Sequence, residues 1–267
     1  MLSRTKLSSM IGALQHSIQW PFSELHDIQY KNPKFTGSET IAIYCIHGTA
    51  DRTSAFSFIA KNMIDRLPSS ISSIELVSFE KRFQGLGIEQ FAYQLRNKII
   101  KNNHHKVILI GHSRGGLVAT HFLTHLTQVI EKIQIIAVVT IGTPFMGSDL
   151  AIMPFRLYSK SIDQMHKGSA YLESLRKKMS GNLVPFFHFA GRQDDIVTVD
   201  SACPTLEGHT HIIQNNEGHL SLLHSDELVE NLLNCLFEVC PTANPYQEEK
   251  DDFIHVENTI LKDFKKK

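Results

Sequence analysis

The chain lacks net charge: 27 Lys and Arg stand against 27 Asp and Glu. That balance removes the attraction that draws a protein to a phosphate backbone, and no nucleic-acid partner is expected. Cysteine is scarce, and Cys45, Cys203, Cys235 and Cys240 form no C-x-x-C pair. Free thiols in a reducing, cytoplasmic setting are therefore expected, with a disulfide as the alternative. No apolar run approaches the roughly 20 residues of a membrane-spanning helix. The patterns H-E-x-x-H, G-x-x-x-x-G-K-[ST] and G-x-G-x-x-G are missing as well, so neither a metal nor a cofactor is expected.

Histidine is what the chain has in plenty, 15 of 267 residues. His121 and His125 stand at i, i+4 on an expected helix, but no matching acid completes a ligand set. With 42% hydrophobic and 20% charged residues, the chain is too apolar for disorder and long enough to bury one large core.

Apolar, β-branched runs recur at Thr40–Ile46, Ser73–Phe79, Lys106–Ile110, Ile135–Ile141 and Leu183–Ala190, with a weaker one at Thr210–Gln214. Their near-continuous apolarity suits strands buried on both faces. Helical periodicity falls between them, over Thr53–Leu67, Ile88–Ile100, Arg114–Ile130 and Ser225–Val239. Alternation of this kind predicts an α/β fold, a mostly parallel doubly wound sheet of six or more strands. Residues 147–182 break the rhythm without a strand and are expected to form a small helical lid.

The domain is thus expected over 40–240, followed by a polar tail over 241–267 with a short amphipathic helix at Phe253–Phe264. Residues 1–39 would be an extension. Their start carries Arg4 and Lys6, no acid, and apolar residues at helical spacing. That suits a helix packed on the domain, a membrane-surface helix or a transit-type segment. No apolar core with a cleavage site suggests a signal peptide. Association with a membrane, or export by another route, is the alternative to a cytoplasmic location.

The strongest local signal is KVILIGHSRGGLVATHFL, which reads strand, then Gly111-His112-Ser113-Arg114-Gly115, then helix. A bare G-x-S-x-G arises by chance in roughly one chain in ten of this length. The flanking strand and helix are what make it a nucleophile elbow. A turn that sharp strains the serine and leaves no room for bulk two residues to either side, where Gly111 and Gly115 stand. The Arg114 N–H, at the helix start, would be free to donate to an oxyanion.

A serine needs a base, and the base needs an orienting acid, in the chain order Ser, acid, His. Asp194, in GRQDDIV, and His219, in NEGHL, follow two further strands in that order. Asp195 is the rival acid, and the Asp-x-Ile/Val-Val spacing favours Asp194. A second oxyanion donor would come from His47-Gly48-Thr49-Ala50, with Thr49 N–H as the choice and Ala50 as the alternative. His47 and His112 would frame the site.

These segments, with YCIHGT, VVTIGTPFMGSDLA and NEGHLSLLHS, resemble the lipase/esterase branch of the α/β-hydrolases. The run Thr143–Ser148 is particularly similar to lipases and PGAP1-like serine esterases. The likeness spans about residues 40–237. It implies an α/β-hydrolase fold and a cofactor-free serine hydrolase acting on a small-molecule or lipid ester, with a lid after Gly147 and a peripheral membrane contact left open. Family members often carry His or Asn where Phe145 stands, and Pro where Thr198 stands. An acyltransferase or thioesterase would use the same triad, and a catalytically inactive binding protein is the non-enzymatic alternative.

Overall fold

The computed structural model describes residues 26–37, 40–49, 51–80, 85–127, 132–148, 151 and 155–241. The helices expected near the two termini lie outside these residues, as does Ala50. Strands form at Ile28–Lys31 (β1), Ile41–Ile46 (β2), Ile71–Val77 (β3), Lys106–His112 (β4), Gln134–Ile141 (β5), Phe186–Gly191 (β6) and His209–Gln214 (β7). They make one seven-stranded sheet in the order β1-β3-β2-β4-β5-β6-β7. Among the described strands only β1 runs antiparallel, pairing Ile28 with Leu76 and Lys31 with Ser73. It falls within the stretch that the sequence assigned to an extension, so the sheet starts earlier than the apolar runs suggest.

Side-chain alternation along the inner strands explains their unbroken apolarity. Ala42, Tyr44 and Ile46 of β2 and Val107 and Leu109 of β4 face one layer. That layer contains helices Ile88–Lys101 and Arg114–His121. Ile43 and Cys45 of β2 and Ile108 and Ile110 of β4 face the other. There they meet Ser57–Met63 and Asp226–Val239. These four helices are α1 (Ser57–Met63), α2 (Ile88–Lys101), α3 (Arg114–His121) and α8 (Asp226–Val239). Between them in the chain come Phe155–Tyr158 (α4), Lys160–Gln164 (α5), Ala170–Met179 (α6) and Val199–Ala202 (α7). Burial on both faces is the condition for a parallel sheet.

Local chemistry sets several boundaries. Ser225 Oγ accepts from Leu228 N at 3.2 Å and so caps α8. The expected helix before Pro68 is split: tight 3-10 turns at Thr53–Phe56 and Ile64–Arg66 flank α1. After α3 the helix widens into a π turn over Phe122–Leu126. There the Thr120 and Thr124 hydroxyls bond back to the carbonyls of Gly116 and Thr120, both at 2.8 Å. Such bonds compete with the regular helical ladder. The region between β5 and β6 holds α4, α5 and α6 and no described strand.

Candidate active site

The chain passes from β2 to β3 on one side of the sheet and then crosses back to β4 on the other. Loops leaving the carboxyl ends of strands at such a reversal open a crevice. The loops after β2, β4, β6 and β7 carry His47–Thr49, Ser113, Asp194 and His219 respectively.

Ser113 stands between β4 and α3 at φ 54° and ψ −124°. Its N–H donates to Ile141 O at 2.8 Å, and its carbonyl accepts from Gly116 N at 3.1 Å. The neighbouring glycines are required by close approach. A Cβ on Gly111 would overlap the Gly115 backbone, and one on Gly115 would overlap the Ile46 carbonyl. Arg114 is the first residue of α3, so its backbone N–H lies at the amino end of that helix.

His219 Nδ1 and Asp194 Oδ2 are 2.7 Å apart, with both residues buried. A carboxylate only accepts, so Nδ1 carries the proton and Nε2 is left as the basic nitrogen. The other oxygen, Asp194 Oδ1, accepts from Ile196 N at 2.8 Å and Val197 N at 2.7 Å. Asp195 is exposed. Adjacent in sequence, the two acids are separated by direction: one turns into the site, the other into solvent.

His112 Nε2 donates to the His219 carbonyl at 3.0 Å, and the two rings lie 4.7 Å apart. His47 Nδ1 donates to Gly48 O at 3.0 Å. Both histidines thus frame the site. Gly142 was not singled out from the sequence, yet it makes room for the pair. It takes φ +52°, and a Cβ there would sit 3.2 Å from His219 Nδ1 and 3.3 Å from Asp194 Oδ2.

A cavity of about 350 Å³ opens onto Thr49, Ser113 and His219. Pro144, Ala151, Ile162, Met165, Ile196 and Leu220 give it an apolar wall. Ile162 and Met165 come from α5 and the residue after it, so the segment between β5 and β6 helps to enclose the cavity. Met146, Leu157 and Tyr158 are exposed. Phe145 does not line the cavity: it is fully buried, edge-on to His188 at 5.2 Å. Its carbonyl accepts from Arg176 Nη1. Thr198 precedes α7 at its amino end.

Other histidines serve packing. His188 bonds Thr140 Oγ1 at 2.7 Å and His209 Nδ1 at 2.8 Å. Burial, with His209 and His211 nearby, holds its pKa well below the ordinary imidazole value. His121 stacks on His125 at 4.0 Å, and burial beside that neighbour lowers its pKa to about 4. Among the described residues, no group of three or more His, Cys, Asp or Glu is placed to hold a metal ion. Burial also raises the pKa of Glu217, two residues before His219.

Solved structures share this fold at low sequence identity. The mature lipase BlEst2 of Bacillus licheniformis matches with a TM-score of 0.60 and 16% identity, over 80% of this chain and 99% of that one. A membrane phospholipase A, a bacterial virulence factor, matches at 0.55 and 13%, over 88% and 93%. The type II thioesterase BorB of the borrelidin biosynthetic cluster matches at 0.53 and 16%, over 83% and 98%. No curated protein matches the chain significantly. The sequence model of lecithin:cholesterol acyltransferase matches residues 78–236, a span that runs from the end of β3 through the elbow, Asp194 and His219 into α8. With an α/β-hydrolase fold and more than half its length within that model, the chain belongs to the lecithin:cholesterol acyltransferase family, a lipase- and acyltransferase-like group.

Proposed function

We propose that the protein cleaves carboxylic esters of lipid-like substrates through an acyl-enzyme on Ser113. The observation that carries this reading is the buried 2.7 Å His219–Asp194 bond, on a site shared with a serine at φ 54°. Asp194 fixes the His219 tautomer, and His219 Nε2 takes the Ser113 proton as Oγ attacks the ester carbon. The tetrahedral oxyanion is held by the N–H groups of Thr49 and Arg114. His219 then returns the proton to the departing alcohol, leaving the acyl group on Ser113. Water, activated by the same histidine, completes hydrolysis.

The apolar wall of the cavity supports an acyl chain as the occupant. An alcohol in place of water would give acyl transfer, a second reading favoured by the family match itself. Four free thiols support a reducing, cytoplasmic setting.

Fluorophosphonate labelling of the wild type and of Ser113→Ala tests the proposal. Labelling of the wild type alone is expected. Equal labelling of both, or none of the folded wild type, would overturn it. Esters of graded acyl length, with and without an added alcohol, then separate hydrolysis from transfer by product. Presenting the same esters in lipid vesicles tests a peripheral membrane contact through Leu157 and Tyr158, which are 72% and 78% exposed. Unchanged vesicle rates after both are replaced by serine would exclude it.

A further inference from the structure

Arg114 has a side chain that the catalytic reading leaves unused. It is 2% exposed, and its guanidinium lies 4.1 Å above the Phe91 ring. Nη2 reaches Gly48 O at 3.3 Å, and Nη1 reaches Ser161 Oγ at 3.5 Å. The same Gly48 oxygen accepts from His47 Nδ1 at 3.0 Å. One carbonyl at the cavity wall is therefore held by two side-chain donors, one of them a buried cation.

That carbonyl belongs to the peptide bond whose other polar group is the Thr49 N–H. In a trans peptide the C=O and the following N–H lie in one plane and point in opposite directions. Holding Gly48 O on one side therefore fixes where the Thr49 N–H points. If the plane flipped, a carbonyl oxygen would stand where the N–H stood, and two oxygens carrying negative charge would face each other. Glycine at position 48 makes such a flip easy, since no Cβ resists it.

We propose that the Arg114 side chain, with His47, is a positioning residue that locks the Gly48–Thr49 peptide plane and keeps the Thr49 N–H aimed at the oxyanion. This rests on the oxyanion role proposed for Thr49. Arg114 would then serve the oxyanion twice, directly through its backbone N–H and indirectly through its guanidinium. A buried cation is a costly way to fill space, since apolar residues of similar size commonly pack as well or better. A positioning task gives this one a reason.

The test compares the wild type with Arg114→Met, Arg114→Lys and His47→Phe. The last keeps an aromatic ring against Phe79, whose centroid is 5.4 Å from that of His47. Three quantities are read: kcat and KM for the best ester, inhibition by an alkyl trifluoromethyl ketone, and the thermal midpoint. The ketone forms a tetrahedral adduct with the serine and so reports the oxyanion site. Outright loss of an oxyanion donor lowers kcat by about 10²–10³-fold, and loosening one should lower it by about 10–100-fold.

Arg114→Met and His47→Phe are each expected to show that loss, with ketone affinity falling in parallel and KM within about threefold. Arg114→Lys, which keeps a cation and a donor, should recover part of it. Folded Arg114→Met and His47→Phe proteins with kcat and ketone affinity unchanged would overturn the proposal. So would a lowered thermal midpoint with no change in either quantity. If Arg114→Met does not fold, His47→Phe decides alone. Failure of the catalytic reading looks different: Ser113→Ala would keep full activity, or the ketone and fluorophosphonate would leave the wild type untouched.

Discussion

Replacing Asp194 by asparagine changes one oxygen to an amide and removes a charge, and the surroundings dictate how the new group must turn. The aspartate accepts three N–H groups, from Ile196 and Val197 on Oδ1 and from His219 on Oδ2. An asparagine has only one oxygen to offer. Two backbone amides outweigh one ring nitrogen, so the oxygen should face Ile196 and Val197 and the NH₂ should face His219. His219 Nδ1 then has to accept, the proton moves to Nε2, and the ring can no longer take a proton from Ser113. A triad forced into the wrong tautomer typically loses about 10⁴ in kcat, or about 5 kcal/mol of barrier. The fold should survive, since the lost charge-assisted bonds are worth about 1.5–3 kcal/mol each at most. The assay is kcat/KM on a soluble ester for Asp194→Asn and Asp195→Asn, with circular dichroism as a check on folding. Asp195 is exposed and should be neutral within about twofold. A folded Asp194→Asn protein within about tenfold of the wild type, or an inactive Asp195→Asn, would refute this reasoning.

Two further outcomes concern stability. Gly115→Ala drives a methyl into the Ile46 carbonyl, which is backbone and cannot swing away. A loss of about 3 kcal/mol in urea unfolding is expected, and a loss below about 0.5 kcal/mol would show that the turn has slack. His188 has a folded pKa well below its unfolded value. The unfolded chain therefore binds more protons as pH drops below about 6.5, and stability present above that value is lost on acidification. Between pH 7 and pH 5 the wild type should lose more stability than His188→Gln, and parallel pH slopes for the two would contradict the assignment.

Much of this was legible in the chain because the features are local. The elbow needs small residues at fixed offsets from a serine, and a strand buried on both faces is written as an apolar run. The order Ser, acid, His points to Asp194 and His219, and the fold brings these two within 2.7 Å of each other. What escaped is what depends on partners far away in sequence. The strand IQYK is four residues long with alternating exposure, a pattern too short and too polar to stand out, and it exists because β3 offers an edge. Gly142 looks ordinary until the His219–Asp194 pair is seen pressing against it. Sequence separates the neighbouring acids by spacing alone; in the fold Asp194 is buried against His219 and Asp195 is exposed. Phe145, a departure from the family pattern, proved to be a core residue rather than a pocket wall. In the segment between β5 and β6, Met165 lines the cavity, while Leu157 and Tyr158 are exposed.

The φ of 54° at Ser113 also has a bearing on how this fold tolerates change. A non-glycine residue in that region carries about 1–3 kcal/mol of backbone strain. Glycine would relieve it, so the most stable sequence for this turn is one that has lost its hydroxyl. Stability and reactivity pull in opposite directions at a single position. Selecting variants of this protein for heat resistance alone would favour leaving the serine behind, and the surrounding packing supplies the stability that lets it stay.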